Sequence, residues 1–154
     1  MTTDTATIAL TVGHIGLNVS DLDRSQAFYS DLFGWTPVHE TREGDRRYAF
    51  LSDGKGLLIT LWQQSSGEFS TSTPGLHHLA FQAASMDDVR AFESALRERG
   101  VPLEYDGIVA HSEGGTSGGV FFLDPDGIRL EISAPLDGPV GAAPTPGHAT
   151  CGFF

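Results

Sequence analysis

The chain has 154 residues, 40% of them hydrophobic, which is enough for one ordinary buried core and a single domain. Nine basic residues stand against twenty acidic ones, and the formal charge of −11 argues against nucleic acid and anionic membrane surfaces as partners. The one cysteine cannot form an internal disulfide, and we find neither a secretory leader pattern nor about 20 consecutive apolar residues. We therefore expect a cytoplasmic protein.

Residues 10–64 have the pattern of a module with one strand, one helix and three further strands. ALTVGHIGLNV alternates apolar with small or polar residues, which places His14 and Gly16 on one face of a strand. An apolar helical stripe follows and ends at Gly34, and its start offers two N-cap candidates, Ser20 and Asp21. Three short strands are then predicted, in TPVHETR, RRYAFLSDG and GLLITLWQQ.

The same pattern returns after a linker of about residues 65–75 that is rich in Ser, Thr, Gly and Pro. The second module covers about residues 76–134, with LHHLAFQAA as its first strand and a helix that ends at Gly100. Its remaining strands are predicted in VPLEYDGIV, GVFFLDP and IRLEISAP. His78 takes the place that His14 has 64 positions earlier, so the chain is one unit written twice. Residues 135–154 form a Gly/Pro-rich tail that wraps the surface or is loose, with two terminal phenylalanines able to dock in an apolar groove.

Two equivalent histidines and one carboxylate suggest a metal site between the modules. In the last strand of the second module, Glu131 alternates with apolar residues and so points away from the apolar face. With His14 and His78 it would form a facial triad for a divalent metal ion, with Fe(II) favoured and Mn(II), Zn(II), Ni(II) or Co(II) possible. The matching position in the first module is Thr60, a poor ligand, so we expect three protein ligands and not four.

The groove around this site contains several aromatic side chains suited to a flat aromatic substrate. We assign substrate binding to five residues, Tyr48, Phe50, Trp62, Phe121 and Arg129. His111 precedes a glycine-rich loop and is a candidate acid or base, with a surface histidine as the alternative interpretation. Tyr105 is a second candidate for proton transfer.

Three segments carry a resemblance to a known family: GHIGLNVSDLDRSQAFYSDLFGW, HHLAF and FLDPDGIRLEI. Over about residues 10–134 the chain resembles the vicinal oxygen chelate superfamily of glyoxalase I, extradiol dioxygenases, fosfomycin-resistance proteins and bleomycin-binding proteins. The resemblance implies an α+β fold in which two tandem βαβββ modules form a half-barrel around a metal. It also places the metal ligands at His14, His78 and Glu131. Where glyoxalase I has a fourth ligand this chain has Thr60, which speaks against glyoxalase activity.

These observations favour a metal-dependent enzyme, with an Fe(II) dioxygenase acting on a small aromatic or vicinal-oxygen substrate as our first expectation. The alternatives are a non-redox metal-dependent lyase, isomerase or transferase, and a non-enzymatic protein that sequesters a drug or natural product. Against a fosfomycin-type transferase, residues 107–119 contain no lysine or arginine to hold a phosphonate. Members of the superfamily pair their modules within one chain or between two, and we expect a homodimer.

Overall fold

The computed structural model describes residues 8–154 as an α+β protein of two modules, and this confirms the predicted fold class. The first module contains β1 (Ile15–Val19), α1 (Leu22–Phe33), β2 (Thr36–Glu43), β3 (Arg46–Ser52) and β4 (Leu58–Gln63). The second contains β5 (Leu79–Gln82), α2 (Met86–Glu98), β6 (Val109–Ala110), β7 (Ser117–Leu123) and β8 (Arg129–Pro135). The prediction that no secretory leader begins the chain concerns residues 1–7, which lie outside the described residues.

Each module forms its own four-stranded sheet, in the order β1-β4-β3-β2 and β5-β8-β7-β6. The first strand of each module runs parallel to the last, and the remaining pairs are antiparallel. Within residues 8–154, no strand of one sheet is hydrogen-bonded to a strand of the other. No helix in this range is long and apolar enough to cross a membrane.

Polar caps fix where the two helices begin, and the cap of α1 is one of the two candidates that the sequence offers. The Asp21 side chain accepts a hydrogen bond from the Arg24 amide at 3.0 Å, and Ser85 accepts one from the Asp88 amide at 3.3 Å. Helix α1 ends at Gly34, whose φ of 72° lies in the left-handed region that glycine adopts without steric cost.

Each sheet has one face on the core and one open face. In the first module, Leu17, Leu61 and Ala49 lie side by side across β1, β4 and β3, and all are buried. The opposite face, which we call the first open face, carries Gly16, Asn18, Tyr48, Phe50, Thr60 and Trp62. In the second module the corresponding second open face carries Ala80, Phe121, Arg129 and Glu131.

The two modules contact each other through α1 and the helix-bearing side of the second sheet. Phe33 of α1 lies 5.0 to 6.4 Å, between ring centroids, from three phenylalanines, Phe81, Phe92 and Phe122. The hydroxyl of the buried Tyr29 donates to Asp124 Oδ2 at 2.8 Å, and Arg24 pairs with Asp126 at 2.9 Å. Because these contacts lie on the core side, they leave both open faces free of the other module's helix.

One strand differs from the sequence-based prediction, and the tail follows the first of its two predicted alternatives. VPLEYDGIV was predicted as one strand, yet it pairs with β7 only at its two ends: Leu103 forms an isolated bridge with Phe122, and Val109 begins the two-residue strand β6. Gly107, with a φ of 85°, closes a tight turn onto Tyr105, so the chain leaves the ladder between Glu104 and Val109. The tail is ordered against β6, where Gly141 exchanges hydrogen bonds with the backbone of residues 108 and 110.

Candidate metal centre

The second open face brings together two of the three predicted ligands. Glu131 lies in β8 opposite Ala80 of β5, and His78 stands two residues before Ala80 on the same side of that strand. His78 Nε2 is 3.8 Å from Glu131 Oε2. The Glu131 residue is only 3% exposed, so this carboxylate lies in a shielded environment where an imidazole is its neighbour.

His78 is held in a state suited to ligation. Its Nδ1 lies 2.8 Å from Nδ1 of His77, a hydrogen bond that fixes the ring orientation. Burial lowers the pKa of His78, and the opposing attraction of Glu131 does not cancel that effect. The neutral imidazole is the form that binds a metal ion.

His111 also contacts Glu131, a partnership that the sequence does not reveal. Its Nε2 is hydrogen-bonded to Glu131 Oε1, and its Nδ1 lies 2.6 Å from Ser117 Oγ. The His111 amide donates to the Ser117 carbonyl at 3.0 Å. The imidazole predicted as a loop acid or base therefore lies beside β7 and bridges the carboxylate to a hydroxyl.

His14 lies in the other module, immediately before β1, and is exposed. The alternation of β1 places it on the side of Gly16, on the first open face, whereas His78 and Glu131 belong to the second. Within residues 8–154, no group of three or more His, Cys, Asp or Glu side chains has the arrangement to hold a metal ion. The predicted triad is therefore not assembled as a metal-holding group within the described residues of one copy of the chain.

The first open face is an aromatic surface built around Thr60. Tyr48, Phe50 and Trp62, all predicted to bind substrate, lie with ring centroids 4.8 to 5.7 Å apart. The indole of Trp62 donates to Thr60 Oγ1 at 2.9 Å, so the hydroxyl at the fourth-ligand position already has a partner. His39 extends the cluster, with Nε2 3.0 Å from the Tyr48 hydroxyl. Sequence reasoning missed His39, although the hairpin register places it opposite Phe50.

Phe121, Arg129 and Tyr105 lie together on the second open face, and the end of the chain covers them. The ring of Phe153 lies 5.6 Å from that of Phe121, and the Arg129 guanidinium carbon is 4.5 Å from its centroid. The Tyr105 hydroxyl donates to the Thr150 carbonyl at 3.0 Å, and burial raises the pKa of Tyr105. Tyr105, a predicted proton carrier, therefore anchors the tail here.

The donor set fits a divalent metal ion in chemistry, though one copy supplies only part of the coordination. Glu131 is a buried carboxylate whose polar neighbours are the imidazoles of His78 and His111, and no arginine or lysine pairs with it in the described part of the chain. Imidazole and carboxylate ligands suit Fe(II), Mn(II), Zn(II), Ni(II) and Co(II). Two of the three predicted ligands are thus neighbours here, whereas His14 lies on the side of the first open face.

Comparison with known protein sequences identifies the family of this chain. The profile of the Glyoxalase/Bleomycin resistance protein/Dioxygenase superfamily matches residues 11–132. A trivalent organoarsenical cleaving enzyme of Bacillus sp. (strain MD1) is 35% identical over 120 residues, which cover 77% of this chain and 70% of that protein. Catechol-2,3-dioxygenase of Bacillus subtilis is 26% identical over 125 residues, 80% of this chain and 41% of that one.

Solved structures show the same architecture. A glyoxylase/bleomycin resistance protein/dioxygenase domain from Frankia sp. EAN1pec superimposes with a TM-score of 0.72 at 27% identity, covering 84% of this chain and all of that one. The match of the family profile spans both modules and every predicted metal ligand. The chain belongs to the glyoxalase/bleomycin resistance protein/dioxygenase superfamily.

Proposed function

We propose that this protein is a metal-dependent enzyme that uses His14, His78 and Glu131 to hold Fe(II) and oxidises a small aromatic substrate with dioxygen. The observation that carries the proposal is the Glu131 carboxylate, buried to 3% exposure beside two imidazoles and paired with no lysine or arginine in the described part of the chain. A buried carboxylate of this kind is stabilised by a bound cation. A redox-active metal ion at these ligands would supply the chemistry for oxygen activation.

The third ligand comes, in this proposal, from a second copy of the chain. His14 and the aromatic surface of Tyr48, Phe50 and Trp62 lie on the first open face, away from His78 of the same copy. A homodimer in which the first open face of one copy covers the second open face of the other would bring the triad together twice. It would also bury the aromatic surface, which favours association.

The residues around the triad have separate tasks. His111 holds one oxygen of Glu131 and links it to the Ser117 hydroxyl, so it orients the carboxylate and can take up or release a proton there. The aromatic surface and Phe121 would bind the faces of a flat substrate. Arg129 supplies the positive charge that an ionised phenol or another anionic group requires.

A non-redox metal-dependent reaction on the same ligands is the second candidate, because imidazole and carboxylate donors also hold Mn(II), Ni(II) and Zn(II). The hydrogen bond between Thr60 and Trp62 favours a three-ligand reaction over the four-ligand glyoxalase type. A protein that only sequesters an aromatic compound would need neither the metal nor a buried Glu131.

The test is anaerobic reconstitution with each metal ion, followed by oxygen uptake with catechols and trivalent arylarsenicals, the second class being suggested by the name of the Bacillus sp. relative. We expect oxygen uptake only in protein reconstituted with Fe(II) and not with the other metal ions. Turnover of substrate without oxygen would select the non-redox alternative. Failure to bind any metal ion would refute both. His78→Gln should abolish stoichiometric metal binding, while the matched His77→Gln should weaken it only severalfold.

Complementation between two inactive variants tests the dimer. In a mixture of His14→Ala and Glu131→Gln chains, each mixed dimer regains one intact site of two, composed of His14 from one copy and Glu131 from the other. Equal mixing after subunit exchange should restore about a quarter of the wild-type metal content, as random pairing predicts. No recovery, with mixed dimers demonstrated by mass spectrometry, would place each site within one chain.

A further inference from the structure

The last residues of the chain are fastened to the second module beside the candidate metal centre. The Thr150 amide donates to the His111 carbonyl at 2.8 Å, and the Thr150 hydroxyl donates to the Ala110 carbonyl at 2.6 Å. Thr150 is itself buried. A short turn of 3-10 helix, Thr150–Gly152, then directs the chain end onto the second open face.

Phe153 uses that turn to place its ring against the candidate ligands. Its φ of 57° is in the left-handed region, which a phenylalanine rarely adopts and which costs conformational energy. The ring centroid lies 5.7 Å from that of His78 and 6.2 Å from that of Tyr105, the latter pair being stacked. The Arg129 guanidinium lies over one face of the ring at 4.5 Å, within the range of a cation–π interaction.

We propose that Phe153 occupies an aryl-binding subsite formed by His78, Tyr105, Phe121 and Arg129, and that the chain end is a built-in competitor of an aromatic ligand. This inference rests on the proposed function, because it names the ligand class of the same site. The subsite takes a flat, electron-rich ring such as a phenol, whose face is attracted to the guanidinium and whose edges contact the neighbouring rings.

The attachments of the segment explain how the ring can leave without unfolding the tail. The firm hydrogen bonds end at Thr150, whereas the Phe153 amide is bonded only within the turn, to the Thr150 carbonyl at 3.1 Å. Phe154 is 78% exposed, and its contacts are with the tail itself: a long hydrogen bond of 3.5 Å from the Thr145 hydroxyl to its carbonyl, and the ring of His148. Release of Phe153 therefore gives up ring contacts and relieves its unfavourable φ, while Thr150 remains anchored.

Cys151 provides the assay, because it is the only cysteine of the chain, lies within the turn and is half-buried. In metal-free protein, we expect phenol to accelerate the reaction of Cys151 with a thiol-specific disulfide reagent severalfold by releasing the turn. Cyclohexanol, which has no aromatic face, should leave the rate unchanged. If phenol slows the reaction, Phe153 is a wall of the pocket that closes over the ligand, and the proposal is overturned.

Two matched variants complete the test. Phe153→Ala should accelerate labelling without any ligand and lower the Kd for phenol about tenfold, the gain expected if the closed form makes up about nine-tenths of the molecules. Phe154→Ala, which removes the neighbouring exposed ring, should change neither quantity. Unchanged or weaker phenol binding by Phe153→Ala would refute competition. Because every measurement uses metal-free protein, it can succeed when oxygen uptake fails, and fail when oxygen uptake succeeds.

Discussion

Replacing Tyr29 by phenylalanine should measure how strongly the two modules are joined. The Tyr29 side chain is fully buried, and its hydroxyl is the partner of Asp124 Oδ2 at 2.8 Å. Asp124 Oδ1 accepts from the amides of Asp126 and Ile128 at 2.9 and 2.8 Å, so the other oxygen depends on Tyr29. A hydrogen bond to a charged group contributes about 1.5–3 kcal/mol, and we expect Tyr29→Phe to lower the free energy of unfolding by about 2 kcal/mol where Asp124 is ionised.

The loss should depend on pH with a definite sign. Burial raises the pKa of Asp124, while the Ile128 amide and the Tyr29 hydroxyl partly oppose the rise. The folded protein thus binds this proton more tightly than the unfolded chain, and the contribution of Asp124 to stability declines as pH rises through its folded pKa. Removing the hydroxyl raises that pKa further, so the penalty of Tyr29→Phe should increase with pH, from about 1 kcal/mol at acid pH, where Asp124 is protonated, to about 2 kcal/mol at alkaline pH, where it is ionised.

Urea unfolding followed by circular dichroism at several pH values provides the measurement. Asp124→Asn is the matched background, because its amide oxygen can still accept from the two backbone amides while the charge is gone. In that background the loss of unfolding free energy caused by Tyr29→Phe should fall to about 1 kcal/mol and should no longer depend on pH. A penalty below about 0.5 kcal/mol, or one equal at both pH values and in both backgrounds, would show that the Tyr29–Asp124 contact does not join the modules.

Three further changes test other parts of the structure. Gly119→Ala should lower the free energy of unfolding by about 1–3 kcal/mol in thermal or urea unfolding, since the added Cβ would lie 2.6 Å from the Ile132 carbonyl oxygen. The control Gly67→Ala adds a Cβ in open space and should have little effect. An equal effect of the two would contradict this reasoning. Phe33→Ala should lower the free energy of unfolding by about 2–3 kcal/mol because Phe33 packs against rings of the second module. Phe154→Ala, at an exposed position, serves as its control. A loss below about 1 kcal/mol for Phe33→Ala would mean that these ring contacts contribute little. His111→Ala should weaken Mn(II) binding about 10- to 100-fold in calorimetric titration, since it removes the partner that orients Glu131. The control His148→Ala should leave the affinity unchanged. Equal affinities of the two variants would show that His111 does not orient the carboxylate.

Much of the fold could be predicted because the local signals agree. The duplication with an offset of 64 residues, the polar caps at Asp21 and Ser85, and the alternation of the strands all indicate βαβββ twice. The segment before β6 was predicted as one continuous strand because its apolar residues mask the effects of Pro102, which begins the paired part, and of the turn at Gly107, which interrupts it. Those two residues were visible in the sequence.

The arrangement of the candidate site could be predicted only in part. Alternation within β8 places Glu131 on the open side, and the repeat draws attention to His78, which the structure finds next to it. The position of His14 relative to them depends on how the modules pack, and contacts such as Tyr29 with Asp124 join residues 95 positions apart. No local pattern encodes such a pairing, and the covering of the site by Phe153 has the same long-range origin.

The hydrogen bond between Trp62 and Thr60 limits how the metal centre can be redesigned. A Cβ added at Gly16 would lie 3.2 Å from Thr60 Oγ1 and 3.7 Å from the indole nitrogen, so the space around residue 60 is already filled. A longer acidic side chain introduced there would meet the indole of Trp62 in this filled space, and its carboxylate would be held by the indole N–H instead of pointing freely toward a metal ion. Conversion to four-ligand coordination therefore requires concerted replacement of residues 60 and 62, and single-site libraries at residue 60 should yield misfolded variants more often than a new catalyst.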